Sequence, residues 1–590
     1  MKSSGSWWIG ILFLASAPTT PCMEIWVSSS GDDSNPGTRD APFMSISRAQ
    51  REVRLLREKE WTSDVTVHVH GRHLVREPLR FGPMDGGDQK HSVTYASEGK
   101  QPAIVCGGQV VSDWREGESG RWMGSCSGYG PGDEGPGHLF CQGRRLPRAR
   151  FPGQGEILRV VDVSEDVREV VVDRDLPDGV GAASELVILQ NWSVSRAKVL
   201  SVQGRRIFLK NPMGWIGHGE ATTASPGKPA YIEQDPLFLE EPGEWCWDVK
   251  QGKILLLPPE GVNPMEQEFI VPVAEQLLVV EGTPENPVCH LHFEGILFEH
   301  TAWPLPEMGY LGIQAGHHGT TIQGPIYVLP GAIELTHAAD VSLKRCTVRR
   351  TGASGICLGG GCVRNLISQC SLSDIGGNGI MVGWRGKGNG NPYVGDQALS
   401  ADWQNQSLVP VENEISHNLL DNCGAVNHGC VGIYDGFCRA TRIVHNWVRD
   451  MPYTGISIGF RWDTSETSQR DCLVENNHIH DCMRILADGG GIYTLGYQPG
   501  TVLRGNYIHH IHRSPWAHGG APNNGIFFDQ GSTGYLVENN VIHDADGGSI
   551  RFNQTSRENL TWKDNCFDIK PGDPAFPEKL ASQAGPNWDR

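Results

Sequence analysis

The segment N-H-I-H-D, Asn477 to Asp481, recurs as N-Y-I-H-H at Asn506 and N-V-I-H-D at Asn540, and working outward from it exposes the fold. Aligning on Asn or Cys followed two residues later by Val, Ile, Leu or Phe adds copies at Cys346, Cys370, Asn418, Asn446 and Asn565. The eight anchors are separated by 24, 48, 28, 31, 29, 34 and 25 residues, so a coil of about two dozen residues repeats with loop insertions. Six anchors are followed by a Gly-Ile pair that opens another apolar run, at Gly355, Gly379, Gly432, Gly455, Gly491 and Gly525. Each coil therefore carries at least two short strands broken by glycine-rich turns.

No long apolar helical stripe interrupts the region, which argues against a helical solenoid. The expected fold is all-β, a right-handed parallel β-helix. Equivalent residues of stacked coils lie about 4.7 to 4.9 Å apart. At that spacing the asparagines either form a ladder of amide bonds or act only as turn formers.

Before the repeats the chain divides further. Glu24 to Gln50 reads as a strand, a turn-rich loop and a helix running through Arg57 that caps the open solenoid end. Val65 to Val69 alternates as an early coil, and the coil signal then disappears between Cys106 and Val273. Short β-type runs with Pro/Gly turns replace it. The expected organisation is a signal peptide at 1–17, cap and first coils at 23–105, an inserted β-rich, sandwich-like domain at 106–275, the main helix with its cleft at 276–570 and a tail at 571–590.

The 590 residues exceed one ordinary core, which a quasi-linear helix with an insertion accommodates. A net charge of −18 disfavours nucleic acid or a strongly anionic polymer as the main partner. Met1 to Ala17, with an early Lys, an apolar stretch and Ala15-Ser16-Ala17, reads as a secretory signal, and no later stretch is long enough to span a membrane. Sixteen cysteines fit an oxidising, extracellular compartment. Cys346 and Cys370, at one anchor position in successive coils, are either a disulfide or two buried thiols. Sequons at Asn191, Asn405, Asn553 and Asn559 are acceptors for glycosylation in a eukaryotic setting. Oligomeric state is not legible.

W-V-S-S-S-G-D-D-S-N-P-G-T near the start, E-E-P-G-E-W-C-W-D at Glu240, F-E-G-I-L-F-E-H-T at Phe293 and D-G-G-G-I-Y-T-L-G at Asp488 resemble secreted right-handed β-helix proteins. Within that group the chain is similar to glycoside hydrolase family 141, whose members include an α-L-fucosidase and a xylanase. The resemblance spans nearly the whole mature chain and implies an oligo- or polysaccharide substrate with no cofactor. It points to Asp488 and Asp529 as the catalytic pair. Relatives commonly read D-E-G-S at the second site, whereas Gln530 here replaces the second acid.

The chemistry is consistent with that pairing, since glycoside hydrolysis needs one carboxylic acid for the leaving oxygen and a second carboxylate as base or nucleophile. Counting back 11 residues from Asn446, Asn506 and Asn540 places Asp435, Leu495 and Asp529 in one column. Asp488 precedes Leu495 by seven residues, over 20 Å of straight strand at about 3.3 Å each. A corner or reversal of the chain at Gly489, Gly490 and Gly491 is then required to return it to the column. Asp435, three coils away, is expected as a sugar contact.

Further substrate contacts are expected from His428 and His518 in glycine-rich insertions, from Tyr493, Trp462 and Trp516 as stacking platforms, and from Arg461. His480, His509 and His543 recur three residues after their anchors, so they read as a satisfied turn or a stack of rings rather than as ligands. No metal site is expected, because His509, His510 and His512 lack a recognised ligand spacing. Two alternatives remain: a polysaccharide lyase, for which Arg461 and Arg484 are the available bases in a lysine-poor region, and a noncatalytic glycan-binding or surface protein.

Overall fold

The computed structural model describes residues 22–59, 61–181, 183–319, 326–383, 390–391 and 406–588. The signal-peptide segment 1–17 and the Asn405 sequon lie outside the described residues. Among them, three long parallel sheets of 12, 11 and 10 strands form a right-handed parallel β-helix. In the coil of Asn418 the first sheet contributes Glu414–Ser416, the second Leu419–Cys423 and the third Ile433–Gly436.

The corner between first and second sheets explains the anchor. The preceding residue takes a left-handed conformation, as His417, His445, Asn476 and Asn539 do with φ between 52° and 56°, and the chain turns in a single step. His, Asn and Asp tolerate that region better than most residues. The anchor then points inward. Asn446 Nδ2 and backbone N both donate to Asn477 Oδ1, at 3.0 and 2.9 Å, and the same pair of bonds links Asn418 to Asn446, Asn477 to Asn506, Asn506 to Asn540 and Asn540 to Asn565. The asparagines are therefore a ladder, since a buried amide must find partners and the next coil supplies them.

Cys346 and Cys370 extend the same column upstream as free thiols. Their sulfurs donate to the carbonyls of Phe293 and Leu343 on the preceding coils, and Cys370 N donates to Asn418 Oδ1. Of the two readings of this pair, the structure has the buried thiols. All sixteen cysteines are free thiols in this structure, so the expected disulfides are not seen.

The six Gly-Ile pairs line up at the entrance to the third sheet. A Cβ on Gly379, Gly432, Gly455 or Gly491 would lie 2.6 to 3.0 Å from the carbonyl oxygen of the equivalent glycine one coil on. Glycine is needed there for close approach. The following isoleucines, Ile433, Ile456, Ile492 and Ile526, are fully buried in the central core, each stabilising the helix by roughly 1.5–3 kcal/mol.

An amphipathic helix, Ile46–Arg57, closes the N-terminal end. Ser45 caps it by accepting from Arg48 N, and Ile46, Ala49 and Val53 are buried against the first coils.

Antiparallel strands occupy Gly108 to Pro272 and enclose two cores of their own, one around Leu186, Ile188 and Ile232, the other around Trp245, Trp247 and Phe269. A second excursion, Tyr310–Gln314 with His317–Gly319 and Ile326–Val328, extends the larger antiparallel sheet through pairing of Tyr310 with Arg196. It lies over the outer face of the third sheet, where His317 stacks on Phe460 at 4.0 Å. The insertion thus forms a wall beside the coils that follow.

Candidate active site

The outer face of the third sheet carries one register row: Tyr434, Ser457, Tyr493, Phe527 and Arg551 pair in sequence across five coils. Asp529 lies two residues beyond Phe527, just past the strand Asn524–Phe528. Its backbone N donates to Thr494 O, as Leu495 N does to Ile458 O and Gly459 N to Asp435 O. Gly459, Leu495 and Asp529 therefore share a column. The carboxylate of Asp529 accepts from the Tyr493 hydroxyl at Oδ2 and from Asn553 Nδ2 at Oδ1, 2.7 Å. Two donors on separate coils fix it as an oriented acceptor. The turn after it closes by Ser532 N donating to Asp529 O, and Gln530 contributes its carbonyl to Gly496 N. That bond does not involve the Gln530 side chain.

Asp488 sits one coil before Asp529, at the entry to Gly490–Thr494, with φ of 61°. Its Oδ1 accepts from Arg551 Nη1 at 2.7 Å, and its carbonyl accepts from the Tyr453 hydroxyl at 3.0 Å. Arg551 also lies over the Phe527 ring at 4.0 Å and donates to Pro522 O. Burial raises the pKa of Asp488, the Arg551 guanidinium opposes the rise, and the negative charge of Asp529 adds to it. The charge of Asp529 is therefore felt at Asp488.

The corner lies at Asp488 itself, whose φ is 61°, rather than at Gly490 or Gly491. Gly490 and Gly491 lie in regular strand, with Gly490 paired to Asn524. Their lack of a side chain serves packing: a Cβ on Gly490 would lie 2.5 Å from Asn524 O, and one on Gly491 would lie 2.5 Å from Ile508. Tyr493 reaches to Asp529, and Arg551 reaches to Asp488.

Asp435 is not in this cleft. The corner between Gly436 and Asn446 has one residue fewer than that between Asp529 and Asn540, so Asp435 pairs with Ile458 and falls in the inward column of Thr494 and Phe528. Its side chain is fully buried, accepts from Gln469 Nε2 at 2.7 Å, and has its pKa raised by burial. The expectation of a sugar contact is corrected: Asp435 is a core residue.

The other expected contacts separate into groups. Tyr493 is in the site. Trp462 packs on the Tyr493, Leu495 and Phe527 cluster beside Asp529, and Arg461, next to it, forms an ion pair with Asp463 at 2.6 Å. Trp516 and His518 belong to the loop that also holds Arg513, whose charge acts on Asp488. The Trp516 ring packs against the central core, while His518 abuts Gly227 of the insertion. His428 lies elsewhere, in a cavity against the inserted sheet. His480, His509 and His543 form the stack, with ring centroids 4.9 and 5.3 Å apart. Asn553, an asparagine of one sequon, donates its Nδ2 to Asp529.

Sequence reading missed Arg551, Asn553 and Tyr453. Arg551 had a signal, since it is the cation at a repeat position that Tyr493 and Phe527 fill with aromatics. Tyr453 and Asn553 act from other coils and had none.

One group of metal-ligating types, Cys106, Glu299 and His300, is assembled among the described residues. Glu299 already accepts from Arg349 and Arg350 at 2.9 Å each, and Arg72 donates to the Cys106 sulfur. His300 is pushed down to about 2 by burial and by those arginines. Guanidinium groups occupy the positive role here, so the donor set does not fit a cation.

A right-handed β-helix family model matches residues 463–572, the coils that bear both aspartates. Among solved structures, a protein described as a glycoside hydrolase superposes with TM-score 0.82 at 23% identity, covering 96% of this chain and 99% of that one. A complex of XylC with xylose gives TM-score 0.45 at 13% identity, covering 92% and 70%. A GH136 lacto-N-biosidase from Eubacterium ramulus gives 0.38 at 11%, covering 93% and 68%. No curated protein matches the sequence. Among the described residues no helix is long and apolar enough to cross a membrane.

Proposed function

We propose that the chain is a secreted glycoside hydrolase of the family 141 type, acting on a neutral or weakly charged glycan through Asp488 and Asp529. One observation carries the reading: on successive coils, a carboxyl at the entry to the third sheet and another just past its far end stand in unlike environments, with the charge of the second acting on the first. Asp488, with its raised pKa, is the general acid that protonates the leaving oxygen. Asp529, an acceptor at both oxygens, is the base or nucleophile. Tyr493 and Asn553 orient it, and Trp462 supplies an apolar wall beside it. Arg551 restrains the rise in the Asp488 pKa so that the acid still ionises after giving up its proton.

The fucosidase and xylanase specificities of the resembling family are the first to test. Purified protein is to be screened on fucosylated, xylosidic and galactosidic glycans, with Asp488→Asn and Asp529→Asn alongside. Hydrolysis by the parent, with binding but no hydrolysis by either variant, is the expected result. Binding without hydrolysis by the parent on every glycan would leave a glycan-binding protein. For a lyase, Arg461 and Arg484 are poor bases, since each is held in an ion pair, with Asp463 and Asp450.

A further inference from the structure

A cavity of about 190 Å³ lies where the inserted sheet meets the coil of Asn418, with Ala425, Val426 and His428 from the coil side. At about 30 Å³ per water it holds some six waters. No residue that bonds to Asp488 or Asp529 lines it.

Its chemistry is unlike the rest of this acidic protein. Arg145, Arg148, Arg150 and Arg196 line it against one carboxylate, Glu233. Asp374 pairs with Arg145, and Glu185 is shared among Arg148, Arg196 and Lys198. Five cations thus face three carboxylates in a chain of net charge −18.

Three nitrogens of the lining residues are buried and without a protein partner: His138 Nε2, Arg145 Nη1 and Arg196 Nε. His138 and Arg196 are each only 5% exposed. Leaving such groups unpaired in the interior is unfavourable. Arg150 lies over the Tyr231 ring at 4.0 Å, making a flat cationic and aromatic wall. His428 bonds Gly424 O through Nδ1, and burial holds its pKa down to about 4, so the neutral ring keeps Nε2 as an acceptor.

We propose that this cavity binds the carboxylate of a hydroxylated acid, a uronate sugar being the class that fits, with the arginines taking the carboxylate and His428 Nε2 accepting from a hydroxyl. Such a site would recognise one acidic unit in an otherwise neutral glycan, and it does not depend on hydrolysis.

The test is isothermal titration calorimetry of the full chain with D-glucuronate and D-galacturonate, each against its neutral parent sugar. A uronate preference of about tenfold or more is expected from charge-assisted bonds. Affinity should fall as salt rises from about 50 to about 500 mM, and Arg150→Gln should abolish the preference at an unchanged melting temperature. Equal affinity for uronate and neutral sugar, no uronate binding, salt-insensitive binding, or a folded Arg150→Gln protein with the preference intact would overturn the proposal. If Arg150→Gln does not fold, the uronate comparison and the salt series on the parent decide. Because binding is read without turnover, this test stands apart from the hydrolase reading.

Discussion

Arg551 and Asp488 belong to coils two apart, yet Arg551 Nη1 donates to Asp488 Oδ1 at 2.7 Å, with the Phe527 ring of the intervening coil beneath the guanidinium. This bond makes the ionisation of Asp488 depend on a residue 63 positions away in the chain.

Removing that cation should therefore move the pH profile. Arg551 lowers the pKa of Asp488, so Arg551→Gln lets it rise further. As the acid must be protonated, activity falls where pH passes its pKa, and the basic limb of the kcat/KM profile should shift to higher pH in the variant. An unchanged basic limb would separate Arg551 from the acid.

Asp488→Asn and Asp529→Asn should each lower kcat by about 10²–10⁴ or more, the usual worth of a positioned acid or base. Substrate affinity, measured by calorimetry, should stay within a few-fold. Tyr493→Phe removes one of the two donors to Asp529 and should reduce kcat by a smaller factor, with KM little changed.

Asp435→Asn tests the inward column. The folded-state pKa of Asp435 is raised, so above the ordinary carboxyl range the folded protein holds a proton that the unfolded chain releases. Stability from this group is therefore lost as pH rises towards and through the folded pKa. The amide removes that loss. Asp435→Asn should melt at or above the parent temperature at pH 7 with activity retained, and loss of activity in a stable variant would return Asp435 to the cleft.

The ladder predicts a large stability cost at its centre. Asn506 Oδ1 accepts from both Asn477 N and Asn477 Nδ2, and Asn506 Nδ2 donates to Val474 O and Asn540 Oδ1. Asn506→Ala leaves several buried groups unpaired, at about 1–3 kcal/mol for each. Denaturant unfolding should show a loss of several kcal/mol, and a smaller one for Asn565→Ala, whose rung lies at the solvent-facing end.

Gly491→Ala should destabilise by about 1–3 kcal/mol through overpacking, because its Cβ would meet Ile508 and Gly525 O at 2.5 and 3.0 Å. Thermal unfolding reads this directly, and tolerance of Ala would show that the coil spacing relaxes at little cost.

The sequence by itself determined the β-helix and the N-terminal cap, and it placed the asparagines and histidines in columns without deciding which bonds they make. The coils and their columns depend on a residue type recurring at one position per coil, and stacking brings such residues together whatever the loops do. It also singled out Asp488 and Asp529. Tertiary structure decided which side chains meet and which way they point. One residue fewer in the corner after Gly436 puts Asp435 in the core, because side chains alternate along a strand and a one-residue shift exchanges the two faces. Tyr453, Arg551 and Asn553 reach the aspartates from neighbouring coils, across contacts that no local spacing encodes. The glycine run beside Asp488 permits close packing of coils, while the bend that orients Asp488 falls at the aspartate itself.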